Sequence, residues 1–338
     1  MILVTGASGC LGSHIVRALL DCGEKVAALK LAGDPAWQLR DVESRIEWRI
    51  GDLRDPASLA TALQGMDSIY HAAGLSTPRP RDHQAMMEVN AEGTRRLLQA
   101  AQEAGVQRVV HISSIAAVGY PHAPADGRAD ETMAYNGASI SYPYMHSKHA
   151  AEAIVRDFVT GGMDIVIVCP AAVIASGCDP QHGWGRIMLD IASGRLKAIP
   201  PGGISFIGHH DLAMGALAAM ARGRSGERYI LSSGDVRYCQ LITAIANAAG
   251  VPPPGLILPP ALLRGAARVL GHLEPLLNAL LPDMRMTPGI LELLWREKYY
   301  DIRKARAELG FVPRQSLADA VTEAWRWLHL RSPKETSR

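Results

Sequence analysis

The chain has 338 residues, 48% hydrophobic and 20% charged, and 35 basic against 33 acidic side chains give a formal net charge of +2. That length buries a substantial core and suits one large α/β unit with a smaller lobe, while the near-neutral balance argues against a nucleic-acid partner. Cys10, Cys22, Cys169, Cys178 and Cys239 are scattered and without C-x-x-C spacing, which supports neither a disulfide framework nor a zinc site and fits a reducing cytoplasm.

Met1 runs directly into a strand pattern, so the start reads as untargeted. Apolar runs at Ile2 to Val4, Val26 to Leu29, Ile46 to Ile50, Ser68 to His71, Val109 to Ser113 and Ile165 to Val168 predict strands. Helical spacing predicts helices over Gly12 to Leu20, Pro56 to Leu63, Asn90 to Ala104 and Tyr144 to Phe158, with Asp55 and Pro56 as N-cap and first residue of the second. Buried strands alternating with helices imply a parallel, doubly wound Rossmann-type α/β sheet over residues 1–170.

After Pro170 the pattern loosens into glycine and proline clusters around short helices such as Asp211 to Ala221, and residues 171–330 read as a mainly substrate-binding lobe. A segment near 204–235 returns to the main unit through a strand at Gly226 to Ser232, so the lobe is interleaved. Gly310 stops a late helix, and residues 331–338 read as a disordered tail. The richest apolar stretch, Leu256 to Leu281, is broken by Pro259, Pro260, Arg264, Arg268, Glu274 and Pro275, which excludes it as a transmembrane span.

The turn T-G-A-S-G-C-L-G sets Gly6, Gly9 and Gly12, with Ser8, Cys10 and Leu11 between them, just after the first strand. Missing side chains there let backbone approach a pyrophosphate at a helix N-terminus, although glycines alone also make ordinary turns. Tyr144 and Lys148, four apart in Y-M-H-S-K, share one helical face. An ammonium beside a phenol favours its ionised form, so the pair suits proton exchange. Adjacent His209 and His210 point apart in most backbones, so a metal site is not expected; Asp211 reads as the cap of the helix they open. Met86 and Met87 are candidates for pocket lining or simply for core.

The glycine turn, G-D-L after the third strand, H-A-A-G after the fourth, Ser-Ser after the fifth and Y-x-x-x-K, in that order, resemble the extended short-chain dehydrogenase/reductases over nearly the whole chain. Within that superfamily the chain looks most like the dihydroflavonol reductase and 3β-hydroxysteroid dehydrogenase-like branch. The resemblance implies that Tyr144 is the acid/base, that Ser114 holds the substrate oxygen, and that Lys148 tunes Tyr144 and holds the nicotinamide ribose. By the same resemblance Asp52 and Leu53 contact adenine, Ala72, Ala73 and Gly74 lie against the cofactor, and Asn90 orders the site. Ser113 and the loop at Pro170 and Val173 complete the cofactor contacts, and a homodimer is implied.

Lys30 at the end of the second strand leans towards NADP(H), with NAD(H) as the alternative and Asp34 as the next carboxylate. An apolar wall from Leu256 to Leu281 suggests a small hydrophobic substrate bearing a ketone or secondary alcohol. Two other readings remain open: an NAD-retaining nucleotide-sugar epimerase or dehydratase, with Arg186 and Arg195 near a diphosphate, and a non-catalytic dinucleotide sensor.

Overall fold

β-branched and leucine-rich runs with little polar interruption need both faces covered, and that is where they lie in the computed structural model, which describes residues 1–121, 127–281 and 283–330. The tail at residues 331–338 lies outside the described residues. Strands β1 (Ile2–Thr5), β2 (Val26–Lys30), β3 (Ile46–Ile50), β4 (Ser68–His71), β5 (Arg108–Ile112) and β6 (Ile165–Pro170) join the strand Arg228–Leu231 in a seven-stranded sheet. Every pairing in it is parallel, and its order is Arg228–Leu231, β6, β5, β4, β1, β2, β3. The chain leaves β1 towards one edge, then returns to the other side of β1 with β4, which makes the β1–β4 boundary the switch point where such sheets bind ligands.

Helices Cys10–Asp21 and His209–Arg222 pack together against the sheet, and Pro56–Ala62, Gly93–Glu103 and Pro143–Thr160 pack in a second layer. Local chemistry places the ends. Asp55 caps Pro56–Ala62 by accepting from the Ala57 amide at 3.1 Å, and Gly310, at φ +64°, ends Arg303–Leu309. The chain from Asn90 to Ala104 is one longer helical run than its spacing implied: it begins at His83–Met86 and passes through a π-helical stretch at Met87–Glu92 before Gly93–Glu103.

The returning strand Arg228–Leu231 pairs with β6 as expected, but Gly203–Gly208 does not enter the main sheet. It lies between Gly234–Arg237 and Glu297–Lys298 and also pairs with Ala172–Ile174. Helices Gly183–Ala192, Tyr238–Ala249 and Leu317–Leu330 close a second apolar cluster around Met188, Leu241 and Ile245. Asp211 is not the cap of its helix. Gly208 stands there, and the Asp211 carboxylate accepts from Ser233 Oγ at 2.6 Å and from the Arg314 and Gln315 amides, tying the late chain to the lobe.

No helix among the described residues is long and apolar enough to cross a membrane. Leu97 is fully buried between its helix and the main sheet. Leu97→Ala is expected to lower unfolding free energy by about 2–5 kcal/mol, read as a drop in urea midpoint; an unchanged midpoint would show that this helix does not cover the core.

Candidate active site

The chain leaves β1 at Thr5 and turns through Gly6 at φ +63°, a left-handed conformation. A Cβ there would lie 2.7 Å from the Ala73 backbone, and one on Gly12 would collide with the Gly6 carbonyl. Gly9 donates to the Gly6 carbonyl at 3.0 Å and caps Cys10–Asp21 without any side-chain hydrogen bond. The first-turn amides of that helix therefore point outward over backbone that no side chain could enter, a cradle that fits a dinucleotide pyrophosphate.

Opposite this turn, Ala72, Ala73 and Gly74 follow β4. Thr5 Oγ1 accepts from the Ala73 amide at 3.2 Å and lies 2.8 Å from His71 Nδ1, while His71 Nε2 lies 2.9 Å from Thr94 Oγ1, which donates to the Asn90 carbonyl at 2.6 Å. Asn90, carried on the π-helical stretch, reaches both ways. Its Oδ1 accepts from the Leu75 amide at 2.7 Å, and its Nδ2 donates to the Leu75 carbonyl and to Ser147 Oγ, each at 2.9 Å. Ser147 in turn donates to the Tyr144 carbonyl at 2.9 Å. One amide thus fixes the loop after β4 against the helix that carries Tyr144.

Ser114 accepts from the Ala116 amide at 3.1 Å, capping Ile115–Val118, and its hydroxyl is within hydrogen-bonding reach of Tyr144. Burial raises the Tyr144 phenol above its ordinary value, and the Ser114 hydrogen bond pulls it back down. Lys148 is buried and donates to the Ile112 carbonyl at 3.0 Å. Burial brings its ammonium down to about 8, with Glu152 and Cys169 acting the other way. The Ser114 hydroxyl counters desolvation at Tyr144, while the Lys148 ammonium donates to a backbone carbonyl.

The Ser113 hydroxyl donates to Glu152 at 2.6 Å, wholly inside the protein. Glu152 is fully buried, one turn beyond Lys148 on the same face, and meets Arg156 at 2.7 Å, Arg228 at 3.5 Å and the Cys169 thiol at 3.4 Å. This anchor went unread in the sequence, although the spacing Tyr144, Lys148, Glu152 continues the same helical stripe. The Thr5–His71–Thr94 chain also went unread, because it joins three elements distant in sequence.

Asp52 holds a turn: its carboxylate accepts from the Arg54 amide at 2.9 Å and from the Arg54 side chain, which keeps it below the usual carboxylate range despite some burial. Leu53 is buried beneath Gly93, where a Cβ would approach it to 2.8 Å. Lys30 lies with its ammonium 4.6 Å from the Trp48 ring, whereas Asp34 accepts from Ser8 Oγ at 2.5 Å. Leu11 is half-buried against the core. Pro170 ends β6, and Val173 lies in the short strand after it. Met86 is fully buried, and Met87 is half-buried beside it.

The stretch from Leu256 to Leu281 buries Leu263 and Ala267 against Leu291. Leu262, Val269, Leu273, Leu276, Leu280 and Leu281 are exposed, and the helix Pro260–His272 turns Arg264, Ala267, Arg268 and Gly271 to a cavity of about 590 Å³ shared with Tyr120, Trp295 and Arg296. Arg186 and Arg195 both bind Asp190, at 3.0 and 2.7 Å. His209 stacks on His14 at 4.1 Å, and no group of three metal-ligating side chains gathers among the described residues.

A Rossmann sheet whose switch point carries a glycine cradle, with serine, tyrosine and lysine beside it, defines a nucleotide-dependent oxidoreductase of the short-chain dehydrogenase/reductase class. Residues 2–231 match the model of the NAD dependent epimerase/dehydratase family, and the chain belongs to that family. It is 37% identical to sterol demethylase protein B of Methylococcus capsulatus over 96% of this chain and 97% of that one. It is 32% identical to a putative dihydroflavonol 4-reductase of Synechocystis sp., over 96% and 93%. Among solved structures, that of gox2253 superposes with a TM-score of 0.85 at 32% identity, covering 98% of each chain.

His71 and His111 lie side by side beneath this site, with ring centroids 5.3 Å apart. Burial, and then the Lys148 charge, takes His71 down to about 3; burial, and then His71 and Lys148, takes His111 well below its ordinary value. Neither ring nitrogen of His111 has a hydrogen-bond partner among the described residues. Because both stay neutral in the folded chain while an unfolded histidine takes a proton near pH 6.5, their stability contribution is complete above that pH. It falls as pH drops below that value, for His71 by about 1.4 kcal/mol per unit down towards about 3, and for His111 in the same direction. His111→Leu is expected to raise the urea midpoint and to reduce its loss between about pH 7.5 and about pH 5; equal losses in both proteins would refute this.

Proposed function

We propose that the enzyme transfers hydride between a nicotinamide cofactor and a ketone or secondary alcohol on a hydrophobic small molecule of the flavonoid, steroid or isoprenoid kind. The observation that carries this reading is the convergence of the Ser114 and Tyr144 hydroxyls beside the buried Lys148. When bound, the nicotinamide supplies the hydride acceptor or donor. Ser114 donates to the substrate oxygen and fixes it, and Tyr144 gives up or takes the proton at that oxygen through its phenol. Lys148 holds the ribose beside them, and Asn90 with Glu152 keeps the tyrosine helix in place. Support for the hydrophobic scaffold comes from the sterol and dihydroflavonol names of the relatives, not from the Leu256 to Leu281 stretch.

Gly6, Ser8, Gly9, Cys10, Leu11 and Gly12 would hold the pyrophosphate, Ala72, Ala73 and Gly74 would lie along it, Asp52 and Leu53 would meet the adenine, and Pro170 and Val173 the carboxamide. NADP(H) was the expectation from Lys30, but two contacts favour NAD(H). Lys30 is engaged over Trp48, and the Asp34 carboxylate bonded to Ser8 sets negative charge at the glycine turn, where it repels a 2′-phosphate and can accept from a ribose hydroxyl. The epimerase reading has less support, since both arginines offered for a substrate diphosphate are paired with Asp190.

Tyr144→Phe is expected to reduce kcat by about 10²–10⁴ while leaving the dissociation constant for the cofactor nearly unchanged; full turnover in that variant would sink the mechanism. In a fluorescence titration NADH should bind at least about tenfold more tightly than NADPH, a gap of about 1.4 kcal/mol, and Asp34→Ser should narrow it. Tighter binding of NADPH would return the assignment to Lys30.

A further inference from the structure

Cys10 and Cys178 are 168 residues apart in sequence, yet their sulfurs lie 3.3 Å apart, both partly buried. Cys10 is the first residue of the helix at the glycine turn, and Cys178 sits in the loop that follows the strand Ala172–Ile174. The backbone, not chance rotamers, brings them together. His14 Nε2 lies 3.0 Å from the Ser176 carbonyl and 3.2 Å from Ser176 Oγ, and Cys10 Sγ lies 3.5 Å from the same carbonyl. Gly177, at φ +84°, crosses the Cys10 backbone so closely that a Cβ on it would touch Cys10 Cα at 3.4 Å.

We propose that Cys10 and Cys178 are a thiol oxidation site, which a peroxide converts to a disulfide that joins the pyrophosphate turn to the loop beyond β6 and slows exchange of the cofactor. The sulfurs need to close by about 1.3 Å to reach the S–S bond length of about 2.05 Å. The Cys178 sulfur, giving up its proton, attacks one peroxide oxygen; the O–O bond breaks and the departing oxygen takes that proton as water, leaving a sulfenic acid. The Cys10 sulfur then attacks Cys178, the S–S bond forms, and the sulfenic hydroxyl leaves with the Cys10 proton as a second water. Two thiols lose two electrons and two protons, and one peroxide becomes two waters. Either sulfur can donate in the contact between them, so the roles of Cys178 and Cys10 can be exchanged and the same disulfide results.

The consequence for exchange rests on the cofactor placement proposed above. A dinucleotide lying from the glycine turn to the loop at Pro170 and Val173 enters and leaves by relative movement of these two elements, and a covalent bond between them opposes that movement in both directions.

The purified full-length enzyme, reduced with dithiothreitol, is treated with hydrogen peroxide, mapped by non-reducing peptide mass spectrometry, and mixed with NADH in stopped flow. A linked Cys10–Cys178 peptide is expected, with association and dissociation rates both lower by about tenfold or more and restored by dithiothreitol. Cys178→Ser should exchange NADH like the reduced enzyme before and after peroxide. Absence of the linked peptide in the native protein overturns the site, and a linked protein whose rates stay within about twofold of the reduced ones overturns the gating. If the reduced enzyme does not bind NADH, the cofactor reading is what fails, and the peptide map alone decides the dithiol.

Discussion

Everything in the site is referred to one close approach, that of the backbone at Gly6 to the backbone at Ala73. Two loops leaving adjacent parallel strands ordinarily diverge, because side chains keep them apart. Here a left-handed glycine removes the first Cβ, and Ala72, Ala73 and Gly74 keep the facing segment small, so the loops stay in contact across the switch point. The Thr5 hydroxyl bound to the Ala73 amide closes the contact from below, and His71 and Thr94 hand the constraint on to Asn90. The position of Tyr144 thus follows from a glycine some 140 residues earlier in the chain.

Polar groups inside the protein maintain that placement at a cost in desolvation. Glu152 is wholly buried, and its oxygens are satisfied by Ser113, Cys169 and Arg156, with Arg228 nearby. Removing one partner of such a buried charge is far more disruptive than omitting the group altogether, which makes the cluster a rigid support and not a source of net stability. Rigidity below the site matters because Tyr144 and Ser114 must meet the same substrate oxygen within a few tenths of an ångström.

Much of the fold was legible because its signals are local. Strand periods, the Asp55–Pro56 cap, the Gly310 stop and the returning strand all rest on a few adjacent residues. The glycine turn and the Tyr144–Lys148 spacing were legible for the same reason. What could not be read depends on tertiary partners. The side to which Ser113 points is set by Glu152, the direction of Lys148 by the Ile112 carbonyl, and the reach of Lys30 by Trp48. Asp211 looked like a cap because it begins an apolar run, yet its partners are Ser233 and, about a hundred residues away, the Arg314 and Gln315 amides. The leucines after Leu256 were read as a wall around the substrate, and Leu262, Leu273, Leu276, Leu280 and Leu281 are exposed in the structure.

The sheet order also bears on how the chain is made. Strand β6 is buried along its whole length, yet its outer neighbour, Arg228–Leu231, leaves the ribosome only about sixty residues later, after much of the lobe has been built. At roughly 5–20 residues per second, an apolar, hydrogen-bond-hungry edge waits on the order of several seconds for its partner during synthesis. Substitutions that slow assembly of the strand at Gly203–Gly208 or the helix His209–Arg222 would lengthen that wait. They would lower the yield of folded enzyme in the cell without changing any property of the molecules that reach the native state.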